Sequence, residues 1–472
     1  MSGLLDQAEL ARNVTRRALR SRRALKDEIG PTLALAGPVI LAELGWMAMG
    51  LVDTMVVGRV SAEAIGAVSI GSAVFFAVAI FGLGMLLGLD FTVAHAFGGG
   101  RLHEARVALV HGLYLSAVLS IGLTALLFAL PPYLPVLGIR PAVAGLAAPY
   151  LRALTWSLAP LLFYAALRRY LQALGLVRAV MVALVSANAI NFIGNWMLVF
   201  GHLGFPALGA EGSGWATTIS RVYLLLFLLA VTALHERRAG AGLRLPWRFV
   251  GERFASLVRL GLPAALQMLL EVGVFATATL LTGRLASDKL AAHQIALGAA
   301  AFTFMVPLGI SSAAAVRVGH AMGRVDPQGA ARAGWAALLL GGSFMAIAAV
   351  AFIKFPDWII RIFTTDPIVV DTGVTLLGVA AIFQLFDGLQ VVATGALRGL
   401  GDTRAPMVAN LVGHWLIGLP IGYALCFWLD RGVVGLWTGL CTGLVSVALV
   451  LIAVWSWRTN TLAAEYASRR AA

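Results

Sequence analysis

Apolar runs of 18 or more residues recur along the whole of this 472-residue chain. A run of that length with few charges can cross the hydrocarbon core of a bilayer as one α-helix. Charged residues make up 12% of the chain, which is about half the share found in soluble domains. The sequence therefore predicts an all-α polytopic membrane protein. The twelve predicted spans cover residues 31–57, 66–92, 106–130, 145–166, 174–200, 211–234, 258–282, 291–316, 331–353, 369–395, 406–428 and 433–456.

Several short sequences recur at a nearly constant distance. Pro38 recurs as Pro263, and His95 in VAHAFG recurs at the same separation as His320 in VGHAMG. The motif ALGLVRA matches GLGDTRA at almost the same separation. A constant period close to half the length of the chain indicates a tandem duplication. With six spans in each copy, both halves keep one orientation, which predicts two six-helix lobes related by a pseudo-two-fold axis along the membrane normal.

The domain boundaries are predicted from this repeat and from the basic segments that flank it. Residues 1–30 combine arginines with apolar positions at helical spacing, as in a helix that lies on the cytoplasmic membrane surface. The predicted units are this amphipathic segment at 1–30, an amino-terminal lobe at 31–234, a cytoplasmic linker at 235–257, a carboxyl-terminal lobe at 258–457 and a cytoplasmic tail at 458–472.

Basic residues are concentrated on alternate connections, which predicts the orientation in the membrane. One set of connections carries Arg101, Arg168, Arg169, Arg178, Arg237, Arg238, Arg244, Arg248, Arg253, Arg317, Arg324, Arg332, Arg398, Arg404, Arg458, Arg469 and Arg470. The other set carries Arg59, Arg140, Arg284, Lys289, Lys354, Arg361 and Arg431. The positive-inside rule then predicts an integral plasma (bacterial inner) membrane protein with both termini in the cytoplasm. It also explains the net charge of +13 without a nucleic-acid partner.

One acid, Glu271, lies in the middle of the seventh span. A carboxylate at the centre of a membrane helix costs roughly 2.5–3.5 kcal/mol on insertion scales, so intramembrane acids are by default functional. Gln267 lies one turn earlier on the same helix face. Glu271 is therefore a candidate for cation or proton coupling. The alternative is an acid satisfied by a neighbouring helix, without a role in transport.

Other polar side chains lie inside the spans. Asp387 shares a helix face with Gln384, Gln390 and Thr394, and Asp53 lies late in the first span. Carboxylate, amide and hydroxyl oxygens are the ligands that a hard cation prefers. The predicted supporting ligands are Asn191, Asn195, Thr217, Gln267, Gln384 and Gln390, with Asp90 and Glu43 as possible additional acids. Interhelical hydrogen bonding is an equally good explanation of the asparagines.

Several motifs together resemble one transporter family. GLVDTMVVG, LLEVGVFA, FMVPLGI, VRVGHAMG and QLFDGLQVVATGALRGLGDTRAP are similar to sequences of the multidrug and toxic compound extrusion (MATE) family, in particular its NorM-like branch. The resemblance implies a two-lobe antiporter that exports cationic, lipophilic compounds by alternating access, in exchange for sodium ions or protons.

The resemblance also assigns roles to single residues. Asp53 matches the family's acid in the first span, and Asn191, Asn195 and Thr217 match the polar positions near it. Glu271 and Asp387 match the acids of the seventh and tenth spans. Asn195 stands where some relatives have an acid. Asp90 is more typical of plant-like members, and Glu43 has no counterpart in the pattern.

Two other functional classes are less consistent with the sequence. A flippase for lipid-linked precursors would need basic residues along its cleft, because its cargo is anionic. An intramembrane enzyme would need a nucleophile with its base, or metal-ligand spacing, and the sequence has neither pattern. We therefore expect no enzymatic activity, no metal site and no cofactor besides the coupling ion. The expected partners are cationic aromatic small molecules and membrane lipids, and the sequence indicates no obligate protein partner.

Overall fold

In the computed structural model, residues 2–135, 140–239 and 246–471 are described, and side chains are described for residues 26–466 and 468 within these ranges. These residues form long helices and no strand. The helices are α1 (Ser2–Val57), α2 (Ala62–Met85 and Gly88–Gly98), α3 (Leu102–Ala129), α4 (Pro141–Thr155 and Leu158–Ala173), α5 (Val177–Phe200), α6 (Ala210–Arg238), α7 (Gly251–Thr282), α8 (Ser287–Gly323), α9 (Pro327–Lys354), α10 (Pro367–Gly399), α11 (Arg404–Trp428) and α12 (Gly432–Ala471).

The expected all-α fold with twelve spans is confirmed. Within the described residues, eleven helices are long and apolar enough to cross a membrane, and the two halves of α4, bent by 45°, together form a twelfth. α11 contains two stretches of wider π-helical turns, Leu411–Gly418 and Ala424–Trp428. Such turns are rare and often mark functional sites.

Several arginines that were predicted to lie on connections lie within helices, for example Arg238 at the end of α6 and Arg317 in α8. Three of them pair with acids that the sequence predicted to be intramembrane. Arg168 and Arg169 lie within the second half of α4, and Arg398 lies within α10. Arg168 and Arg398 are buried. The predicted fourth span ends at residue 166, before the helix does, because the charges of Arg168 and Arg169 lower the local hydropathy. In the structure each of the three pairs with an acid, which offsets the cost of placing its charge inside the protein.

The buried apolar side chains divide into an amino-terminal and a carboxyl-terminal group. One large cluster takes its residues from α1 to α6 and from the first half of α7, where Leu257 and Ala265 lie. Four smaller clusters lie within α7 to α12, and Ala36 of α1 joins one of them. α1 and α7 therefore pack against both lobes. The domain boundaries remain a prediction, and α1 runs without a break through residue 30.

Glycines allow the two lobes to approach closely near the ends that carry the termini. A Cβ atom added to Gly261 of α7 would lie 2.1 Å from the Met85 carbonyl oxygen, where α2 is interrupted. At the end of α8, a Cβ on Gly323 would lie 2.2 Å from the carbonyl oxygen of His95. Distances this short leave no room for a side chain. The structure is therefore closed between the lobes on the side of the termini.

Candidate functional site

The amino-lobe polar residues meet at Asp53. Oδ1 of Asp53 accepts hydrogen bonds from the amides of Asn191 (3.1 Å) and Asn195 (2.7 Å), and Oδ2 accepts one from the Thr217 hydroxyl (2.8 Å). All four side chains are buried. The i, i+4 spacing of the two asparagines places both amides on one face of α5. Oδ1 of Asn195 has no hydrogen-bond partner in the described part of the chain.

A buried cation that the sequence analysis did not select lies beside this cluster. Arg221 follows Thr217 by one turn of α6, and it interacts electrostatically with Asp53. Its Nη1 donates a hydrogen bond to Ser157 at the bend of α4 (2.6 Å). An arginine inside an apolar span was a usable signal, since a charge there is unfavourable unless it has a role. The positive-inside rule does not single out Arg221, because the rule considers only the connections between spans.

The carboxyl-lobe acids lie in a second buried polar cluster. Gln267 donates a hydrogen bond to Glu271, which is half-buried. Asp387 is buried and interacts electrostatically with Glu271. Gln390 lies close to Glu271, but its amide makes no hydrogen bond within the described residues. In the part of the chain that the structure describes, neither carboxylate forms a salt bridge.

Two aromatic residues lie one helical turn from these acids. Phe275 follows Glu271 by one turn of α7, Phe383 precedes Asp387 by one turn of α10, and the two rings contact each other with centroids 5.9 Å apart. Gln384 does not join the cluster through its amide nitrogen, which donates a hydrogen bond to Thr303 of α8. The site thus combines two acids with aromatic surface, which is an arrangement suited to an organic cation.

The two additional acids are paired with arginines. Glu43 of α1 forms a salt bridge with Arg168 of α4, inside the amino lobe. Asp90 of α2 lies 3.5 Å from Arg169 of α4 and 3.1 Å from Arg398 of α10. Because Arg398 belongs to the other lobe, Asp90 joins the lobes on the closed side. Among the described residues, neither acid is hydrogen-bonded or ion-paired to a member of the clusters around Asp53 or Glu271.

The repeat appears again in comparison with known proteins. A family model described as MatE matches two segments of the chain, residues 38–197 and 263–424. The two segments start at Pro38 and Pro263, the pair of prolines that the repeat places at equivalent positions. The chain belongs to the MATE family. It is therefore a transporter rather than an enzyme, and its apolar helices make it an integral protein of the inner membrane.

Relatives and solved structures agree with this assignment to the MATE family. The chain is 39% identical over 439 residues to a probable multidrug resistance protein NorM of Mesorhizobium japonicum. The aligned region covers 91% of this chain and 94% of that relative. It is 34% identical to the multidrug resistance protein NorM of Aliivibrio fischeri, over 92% and 95% of the two chains. The crystal structure of a eukaryotic MATE transporter superimposes with a TM-score of 0.84, at 21% identity, over 94% of this chain and 100% of that one.

Proposed function

We propose that this MATE transporter is an antiporter that exports cationic, lipophilic compounds by alternating access, driven by sodium ions or protons. The observation that carries the proposal is the pair of acids inside the carboxyl lobe, the half-buried Glu271 and the buried Asp387, without a basic partner in the described chain. Buried charges are normally paired. Two acids left without a protein cation therefore provide a place for a cation from outside.

Exchange at such a site is competition for shared negative charge. An organic cation is held while the carboxylates are ionised, and a proton or sodium ion that takes its place releases it. Thermodynamic linkage requires that each ligand weakens the other by the same factor. Phe275, which is half-buried and lies one turn from Glu271, can add a cation–π contact, so we expect monovalent aromatic cations as cargo. The multidrug names of the relatives support small molecules as cargo.

The flippase alternative is less well supported. An anionic lipid-linked cargo needs free basic groups, whereas the buried Arg168 and Arg398 and the half-buried Arg169 are each engaged by Glu43 or Asp90. The test is a transport assay in proteoliposomes with an ethidium-like dye. We expect efflux when a sodium or a pH gradient is imposed and none without a gradient. Equal transport of an anionic dye of the same size would contradict the proposal.

The orientation is tested separately. We expect a tag at either terminus to react only after the cell membrane is permeabilised, because basic residues concentrate on the connections of that side. A tag within residues 357–367, between α9 and α10, should react with an impermeant reagent in intact cells. Labelling of a terminus in intact cells would show that the termini face outward. The closed side of the transporter would then face outward as well.

Asp90→Asn is expected to loosen the closed side of the transporter. The amide keeps the volume of the carboxylate but leaves Arg169 and Arg398 without their acid, and breaking a buried pair in this way costs about 3–5 kcal/mol. Spin labels at the exposed positions Arg178 and Arg404, one in each lobe, should report a longer distance between the lobes in pulsed electron paramagnetic resonance.

The matched control for this change is Asp357→Asn. Asp357 pairs with Arg361 within one short exposed helix, Pro356–Arg361, and exposed pairs contribute only about 0–1 kcal/mol. The control should leave the label distance unchanged. A distance distribution in Asp90→Asn that matches the wild type would show that the ion pair does not hold the lobes together.

A further inference from the structure

Arg221 is a buried cation with few polar partners. Its side chain is 6% exposed, Nη1 bonds to Ser157, and Nε has no hydrogen-bond partner in the described part of the chain. The guanidinium lies over the ring of Phe75, 4.6 Å from its centroid, and 5.5 Å from the centroid of Trp46. Aromatic faces stabilise a desolvated cation, but they do not neutralise its charge.

The internal repeat shows what stands at the corresponding place in the other lobe. The repeats align without a gap between Pro38 and His95, because their counterparts Pro263 and His320 follow at one and the same separation. By this alignment Trp46 corresponds to Glu271. The amino lobe thus has an aromatic ring beside its own arginine where the carboxyl lobe has an acid. The part of α12 that corresponds to Arg221, residues 446–448, carries no charge.

The two lobes consequently differ in the charges that their equivalent helices carry. In the amino lobe the positive charge of Arg221 acts on Asp53 from a distance, without a salt bridge among the described residues; Arg221 lies one turn of α6 beyond Thr217, whose hydroxyl donates to Asp53. In the carboxyl lobe Glu271 and Asp387 have no such partner among the described residues. A cation that enters the amino lobe would meet a resident positive charge, whereas one that enters the carboxyl lobe would not.

We propose that Arg221 is the resident counter-cation of Asp53: its guanidinium occupies the amino-lobe equivalent of the cation site beside Glu271, weakens binding of the coupling cation at Asp53 and thereby confines cation exchange to the carboxyl lobe. Arg221 is a positioning residue, since it acts through the charge of Asp53. The proposal rests on the proposed cation-coupled function and names the lobe that performs it.

The test is sodium binding to the purified full-length protein in detergent, measured by isothermal titration calorimetry at about pH 8.5, well above the ordinary pKa of carboxylates. Arg221→Gln removes the positive charge and should lower the dissociation constant for sodium at least about tenfold, as expected when a nearby like charge is lost in a partly buried setting. Arg221→Lys keeps the charge and should bind sodium as the wild type does.

A second substitution separates this role from a purely structural one. The gained binding should disappear in the double variant Arg221→Gln with Asp53→Asn, because the new site is Asp53. A residue that only anchors the bend of α4 would lower thermal stability in both backgrounds and leave sodium binding unchanged. That result, or a gain that survives Asp53→Asn, would overturn the proposal.

One further measurement applies even if no neutral Arg221 variant folds. In the otherwise wild-type protein, Asp53→Asn should leave sodium binding unchanged, whereas Asp387→Asn should reduce it at least tenfold. Loss of binding in Asp53→Asn instead would place the coupling cation in the amino lobe and refute the proposal. None of these measurements uses dye transport, so failure of the export assay and failure of this inference are distinguishable.

Discussion

Asp387→Asn is expected to abolish gradient-driven dye efflux, a loss of at least about a hundredfold, while the protein remains folded and inserted. The substitution removes one negative charge from the carboxyl-lobe cluster and keeps nearly the same volume. Without that charge the site holds both the organic cation and the coupling ion too weakly for one to displace the other at working concentrations. The measurement is dye efflux from proteoliposomes at matched protein content, as the external pH or sodium concentration is stepped.

Glu271→Gln should have the same effect, and the double variant should be little worse than either single one, because residues that act as a unit are not additive. Asp357→Asn removes an acid from an exposed ion pair outside the candidate site, and it is therefore the control for a general effect of losing an acid. Efflux by Asp387→Asn at a rate near that of the wild type, under either gradient, would show that coupling runs through Asp53.

Gly261→Ala is expected to prevent closure of the lobes on the side of the termini and to reduce transport at least about tenfold. The added methyl group would lie 2.1 Å from the carbonyl oxygen of Met85, and backbone atoms at such a distance must move apart. In an ordinary helix the same change is favourable by about 1 kcal/mol. The expected loss therefore arises from the contact between α2 and α7, and the helix itself should be unharmed.

Gly122→Ala is the matched control for this substitution. Gly122 lies in the helical interior of α3, is exposed and has no atom within 4 Å of an added Cβ. Spin labels at Arg178 and Arg404 should report separated lobes for Gly261→Ala and the wild-type distance for Gly122→Ala. If Gly261→Ala transports at the control's rate, the close contact is dispensable for the cycle.

Local patterns predicted much of the site. The spacing of Asn191 and Asn195 put both amides on one helix face, and the structure brings that face to Asp53. Glu271 and Gln267, one turn apart, do form a hydrogen bond. Gln384 shares the face of Asp387 in the sequence pattern, yet its amide nitrogen bonds to α8. A helical face fixes a direction, but the neighbour met in that direction depends on how the helices pack.

By itself, the sequence determined the class of the fold, the number of spans, the duplication and the acids of both lobes, since hydropathy and helical period are properties of neighbouring residues. Tertiary structure alone decided which charges are free. Asp90 and Glu43 resembled Glu271 as intramembrane acids, but only the first two meet arginines. Arg221 became the partner of the Asp53 cluster because α1, α4 and α6 converge there. The energy of a buried charge depends on its neighbours in space, and these come from distant parts of the chain.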